Sequence, residues 1–115
     1  MIVIKSSWFP FGDYDAMALF PFVFVKGEVP NRVIRHEQIH LEQQKELLII
    51  GFLFLYVVFF VSWFLWYFIF EWRVTIKQAW NEAYKRNPFE AEAYDNEWDE
   101  YYLEKRELFN WVNYL

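Results

Sequence analysis

Two histidines and a glutamate fall within one turn's spacing in His36-Glu37-Gln38-Ile39-His40, and the chain has no other histidine. A helix makes a turn about every 3.6 residues, so His36 and His40 share a face and their imidazoles can converge on one metal ion. Glu37, beside the first of them, reaches a water at that ion without being a ligand. Two nitrogen ligands and one general base on a single turn are the mechanical content of His-Glu-x-x-His. The chemistry is hydrolysis: Lewis-acid activation of water, with Glu37 accepting the proton before attack on a carbonyl. Zinc is the expected ion, although iron, manganese and cobalt also suit such ligands. A zinc site of this kind takes a third protein ligand and keeps its fourth position for water. With no third histidine and no cysteine, that ligand must be a carboxylate. The competing reading is two polar residues on the solvated end of a membrane helix, which needs no metal.

The motif needs a helix, and the sequence predicts one over residues 31–50. Asn31 after Pro30 is a plausible N-cap, and Val33, Ile34, Ile39 and Leu41 interleave with charge up to Gly51. From Leu47 to Phe70 there is no charged residue, and only Gly51 and Ser62 are not apolar. A span needs about 20 such residues, because a helix rising about 1.5 Å per residue must cross about 30 Å of hydrocarbon. Residues 47–70 are therefore expected to be membrane-embedded, with Trp63 to Phe68 supplying rings suited to the headgroup level. Residues 71–86 read as an amphipathic helix with Trp72, Ile76, Ala79, Trp80, Ala83 and Tyr84 at helical spacing. The stripe Trp72, Trp80, Tyr84 is expected to be packing or anchoring. Asn87-Pro88 restarts the chain as N-cap and first helical residue, opening a helix over 88–112. Residues 1–30 read as a loose β-hairpin: Ile2–Ile4 and Met17–Val25 are apolar runs bracketing a turn at Phe9–Asp13, with Pro10 and Pro21 at edges or bends. The expected fold is one mainly α domain over 1–115 with a small N-terminal β-hairpin.

Apolar residues make up 57% of the chain and aromatic ones 25%, yet 23% are charged, so the two classes must segregate along the sequence. Net charge is −5, with the acids gathered between Glu90 and Glu107. Scattered Lys and Arg argue against a nucleic-acid partner, which needs a basic cluster for phosphate. Without cysteine there are no disulfides and no thiolate chemistry. Residues 1–7 lack the basic and apolar regions of a secretory signal, and Ile2 rules out myristoylation there.

The stretch Phe89-Glu90-Ala91-Glu92-Ala93-Tyr94, downstream of His36-Glu37-Gln38-Ile39-His40, resembles the Glu-x-x-Ala-Asp third-ligand helix of gluzincin peptidases. HtpX-type and CAAX-prenyl endopeptidases are the nearest comparison, being membrane proteins with the metal site beside their spans. The run His36-Glu37-Gln38-Ile39-His40-Leu41-Glu42-Gln43-Gln44 is also similar to small bacterial membrane proteins carrying His-Glu-x-x-His-x-x-Gln-Gln. The resemblance implies a compact zincin-like helical unit. It makes Glu90 the third ligand and Ala93 the small residue that lets helices approach closely. Tyr94 departs from the pattern, standing where those enzymes carry Asp, so support of a ligand histidine must be lost or pass to a phenol. Those enzymes are also much longer, with several spans. Glu90 has another reading, since Asn87-Pro88-Phe89-Glu90 is capping-box spacing in which it bonds back to the Asn87 amide. Glu92 is the alternative ligand, two residues on and facing elsewhere; Glu97 is a more distant candidate. Asp95 and Asp99 are expected to face solvent, and Gln43 and Gln44 to line a groove or lie at the surface.

A single crossing by 47–70 would put His36 and Glu90 on opposite sides of the membrane, and 71–86 is too short and charged to return. The apolar segment is therefore expected to bend near Gly51 into a helical hairpin, with its turn shielded by a larger membrane partner or a second copy. The reading is a membrane-associated zinc peptidase of the bacterial inner (cytoplasmic) membrane, its motif facing the cytoplasm and an extended peptide pairing with an edge of the hairpin. The alternative is a non-catalytic accessory subunit whose metal site is structural or vestigial.

Overall fold

The N-terminal apolar runs build a three-stranded sheet. The computed structural model describes residues 1–8, 14–71 and 73–115. In it β1 (Ile2–Lys5), β2 (Ala16–Leu19) and β3 (Phe22–Val25) lie in the order β1-β3-β2. The Met17–Val25 run folds on itself, with Ala18 opposite Val23 in an antiparallel pair, and β1 joins β3 in parallel. The hairpin thus sits inside the run expected to be one strand. Pro21 occupies its turn, where a missing N–H donor costs no ladder bond. The expected Phe9–Asp13 turn, Pro10 and Trp72 lie outside the described residues. As the central strand, β3 is the most buried, and Val23 and Val25 pack on Leu41 with Ala16, Ala18 and Ile34 around them.

Helix α1 (Asn31–Glu46) lies against this sheet. Pro30, in place of the expected Asn31, is the N-cap: its carbonyl accepts the Val33 amide at 3.0 Å and leaves Asn31 as the first helical residue. The buried face carries His36, Glu37, Ile39, His40, Leu41, Gln43 and Gln44. The helix stops at Glu46, several residues before Gly51. Leu48 and Ile49 take φ of 57° and 61°, sparsely populated backbone for an L side chain that costs about 1–3 kcal/mol per residue. Contacts on both sides hold the break there. The Glu46 carboxylate accepts Arg106 at 2.9 and 3.0 Å, and the Ile49 amide bonds the Gln44 carbonyl at 2.7 Å. Beyond the break Phe52 seats on Phe89, ring centroids 4.8 Å apart. Gly51 sits in the first turn of the next helix, where a Cβ would meet only Leu47 at ordinary contact distance.

That next helix, α2 (Ile50–Phe70), is long and apolar enough to cross a membrane. Phe52 is its one buried residue, and Leu53, Phe54, Val57, Val61, Leu65 and Ile69 form an exposed face. Helix α3 (Ile76–Arg86) begins later than the expected 71, because Thr75 and Gln78 close a capping box with bonds of 3.1 and 2.9 Å. It runs back along α2: Trp80 packs on Phe60 at 4.7 Å, and the Arg86 guanidinium lies over Trp63 at 5.2 Å. Asn87 then donates to the Tyr56 carbonyl at 3.1 Å. The return is short because it covers only Tyr56 to Phe70, about 21 Å of helix. Both halves of the site therefore meet at one end of α2 with no bend inside it.

Helix α4 (Pro88–Asn96) starts as expected, with the Asn87 side chain accepting the Phe89 amide at 3.1 Å. The single helix expected over 88–112 is broken. It ends at Asn96, followed by a short α5 (Tyr102–Lys105) and a 3₁₀ turn over Asn110–Tyr114. Folding back supplies partners for Glu92, which is fully buried. The Tyr102 hydroxyl donates to it at 2.6 Å and an Arg106 Nη at 3.0 Å. An unpaired carboxylate there would cost several kcal/mol. The same turn lays Trp111 on Phe89 at 4.8 Å.

Candidate metal centre

His36 and His40 project from α1 toward α4, and the two helices approach closely because Ala93 packs on Ile39. Asn87-Pro88 sets the start of α4 so that Glu90 faces the histidine pair. Glu90 Oε1 lies 2.9 Å from His36 Nε2 and 3.1 Å from His40 Nε2. One ligand atom from each of the three residues lies within 4.8 Å of the other two, and all three side chains are buried. The other Glu90 oxygen accepts the Tyr56 hydroxyl at 2.7 Å. Glu90 does not form the capping box, and the Asn87 amide bonds the Ala83 carbonyl instead.

Gln43 decides which His40 nitrogen is free. Its amide nitrogen donates to the Phe89 carbonyl at 3.1 Å and to Glu92 at 2.9 Å, both acceptors. Its oxygen therefore faces His40 Nδ1, 2.7 Å away, and Nδ1 must carry the proton. A neutral His40 then points the Nε2 lone pair at the Glu90 carboxylate, acceptor against acceptor. A proton shared between ring and carboxylate, or a metal ion, reconciles them. Burial pulls the His40 pKa down, but Glu90's charge and hydrogen bond outweigh it and raise it to about 9. Burial likewise opposes ionisation of Glu90, yet the His40 and His36 rings hold its carboxyl well below the usual carboxylate range.

His36 is braced differently. Its Nδ1 lies 4.0 Å from Glu97 Oε1, and the Tyr94 ring stands edge-on to it at 4.4 Å. Glu97, one turn beyond Tyr94, thus stands on the Nδ1 side of His36. Glu97 is itself tied by Arg32 at 3.2 Å and, through its carbonyl, by Arg35 at 2.6 Å.

Glu37 is buried beside the three ligand groups. Burial raises its pKa, with His40 and His36 pulling the other way and Glu90 adding to the rise. Glu92, the alternative ligand, points away from the histidines into the Arg106 network and is a structural carboxylate. Asp95 is exposed, as expected, whereas Asp99 is half-buried and pairs with Lys105 at 2.6 Å. Gln43 and Gln44 are fully buried rather than at the surface. Gln44 accepts the Phe20 amide at 2.6 Å and donates to the Ala18 carbonyl at 3.0 Å. These bonds occupy the free edge of β2 over Ala18–Phe20, one of the two sheet edges to which an extended peptide could add.

Tyr56 escaped the sequence reading, and Gln43 was read as a groove or surface residue rather than as the partner of His40. Tyr56 sits in an apolar run with nothing local to mark its hydroxyl. Gln43 lies at i+3 from His40, and that spacing was the available signal.

A cleft reaches the centre from two sides. One arm, about 360 Å³, lies between β2, α2 and α3 and touches Glu37, His40 and Glu90. The other, about 250 Å³, is lined by Arg32, His36, Glu37, Tyr94 and Glu97 among others. No family model, no curated protein and no solved structure matches the chain, so its chemistry is read from this donor set.

Proposed function

We propose that the chain is a membrane-associated, zinc-dependent peptidase that hydrolyses a peptide bond with water. The observation that carries this is the convergence of His36 Nε2, His40 Nε2 and Glu90 Oε1, with the His40 tautomer already fixed by Gln43. Two imidazoles and a carboxylate suit zinc, and a hydrogen-bond partner on the far ring nitrogen is what ligating histidines need. A divalent cation held there supplies Lewis-acid activation of water and of a carbonyl. Glu37 does the proton work: its carboxylate accepts a proton from water and returns it to the leaving amine. Tyr56 holds the second Glu90 oxygen and keeps the carboxylate from turning.

The exposed apolar face of α2 supports embedding in the lipid bilayer, which we take to be the bacterial inner membrane with the motif on its cytoplasmic side. That face also leaves room for a larger membrane partner or a second copy. One observation favours a non-catalytic subunit with a structural metal instead: His36, His40 and Glu90 are only 4–6% exposed. Peptide hydrolysis by zinc-loaded protein, absent in Glu37→Gln at equal zinc content, supports the enzyme. Equal rates in both proteins refute it.

A further inference from the structure

The two arms of the cleft meet at Glu37, and they differ in chemistry. The larger arm is walled by Met17, Phe52, Leu53, Val57, Phe60 and Trp80, and among the described residues its charged lining ones are at the metal-centre end. Leu53 and Val57 are 46% and 58% exposed and belong to the uncovered face of α2, so this arm opens toward the surface that meets lipid. The smaller arm carries Asp15, Arg32 and Glu97 and lies on the α1–α4 side. Tyr14, Ala16, Glu37 and Tyr84 line both arms, so the two lie side by side along the same residues of the centre.

We infer that the site takes a polypeptide at the border of a membrane-inserted segment, placing an apolar side chain beside the scissile bond in the α2–α3 arm and polar chain in the Arg32 arm. The inference rests on the peptidase reading above and names its substrate class. Main-chain pairing with β2 contributes little, because Gln44 already occupies the Ala18 carbonyl and the Phe20 amide. Selection therefore falls on the side chain. A pocket of about 360 Å³ lies near the small end of ligand pockets, which suits one large side chain better than a pair of lipid tails. Burying a Leu- or Phe-sized group is worth about 1.5–3 kcal/mol, or about 10- to 150-fold in affinity.

Hydroxamate probes test this without turnover. Calorimetry on zinc-loaded protein in micelles would compare acetohydroxamate, dipeptide hydroxamates bearing a Leu or an Asp side chain, and dodecanoyl hydroxamate. The expected result is at least tenfold tighter binding of the Leu probe than the Asp probe. In Met17→Asp, and separately in Phe60→Ala, that ratio should fall toward one. Equal affinity for the Leu and Asp probes, or a ratio unmoved in both variants, overturns the inference while acetohydroxamate binding leaves the open metal centre standing. Dodecanoyl hydroxamate binding more tightly than the Leu probe also overturns it, in favour of a lipid substrate. Failure of acetohydroxamate itself to bind removes the peptidase reading and the inference with it.

Discussion

Replacing Gln43 by Leu separates the metal centre's support from its ligands. The side chain is fully buried and makes three bonds: to His40 Nδ1 at 2.7 Å, the Phe89 carbonyl at 3.1 Å and Glu92 at 2.9 Å. Leu fills much of the same space but leaves the His40 N–H without a partner, while the Phe89 carbonyl, inside α4, keeps its helical bond. Glu92 keeps Tyr102 and Arg106. One buried polar group left unsatisfied costs about 1–3 kcal/mol, so the protein should lose about that much stability. The freed imidazole should also lower zinc affinity by about 10- to 100-fold, as when other outer partners of ligating histidines are removed. Gln43→Glu is the companion. It keeps an acceptor for His40 but sets a carboxylate against Glu92 and the Phe89 carbonyl. Stability should fall at least as far, and zinc affinity less. Denaturant unfolding in micelles and competition with a chromophoric chelator read the two quantities. Gln43→Leu within about 0.5 kcal/mol of the parent, with unchanged zinc affinity, would refute the reasoning.

Glu37→Gln should retain zinc while peptide hydrolysis falls by about 10²- to 10⁴-fold, the usual contribution of a general base, read by chromatography of cleaved peptide. Glu92 gives a pH dependence with a definite sign. Burial opposes its ionisation, but Arg106, Tyr102 and Gln43 outweigh that and hold its folded pKa below the ordinary value. Its stabilising contribution is therefore full above the unfolded carboxyl pKa and is lost as pH falls through the lower folded value. Unfolding free energy between about pH 6 and 3 should fall less steeply in Glu92→Gln, and an unchanged slope would contradict the pairing. The absence of cysteine makes topology accessible to single-cysteine labelling in vesicles. About 21 Å of α2 beyond Tyr56 is shorter than the about 30 Å hydrocarbon core. Asn31→Cys and Lys45→Cys should label from one side, and Thr75→Cys from neither. Labelling of Thr75→Cys from the opposite side alone would show a full crossing.

The motif helix, the apolar helix and the Asn87-Pro88 restart were legible because each rests on local pattern: histidine spacing, an uncharged run, and a proline in a first turn. The elements that failed depend on contacts distant in sequence. Glu46, Phe52 and Ile49 set the break after α1 at Leu47–Ile49, close to the Gly51 to which glycine content pointed but a few residues before it. A straight helix over 88–112 would carry Arg106 about 21 Å from Glu92, yet the two are bonded, because a buried carboxylate draws its partner back. Gln43 and Gln44 sit among Glu42 and Lys45, whose charge marks the segment as surface, although their helical phase places both on the buried face with His36 and His40. Within the centre, Glu90 was reached through a resemblance, with Glu92 open beside it. Geometry separates them, since Glu90 meets two imidazoles and Glu92 a guanidinium.

Metal content is the most direct test of the centre. Purified protein, incubated with zinc and desalted, should carry about one zinc per chain by elemental analysis, as one three-ligand centre requires. His36→Ala and Glu90→Ala should carry almost none, and Glu92→Gln should keep the full complement. No zinc in the parent, or equal zinc in the parent and in His36→Ala, would contradict a metal centre formed by His36, His40 and Glu90.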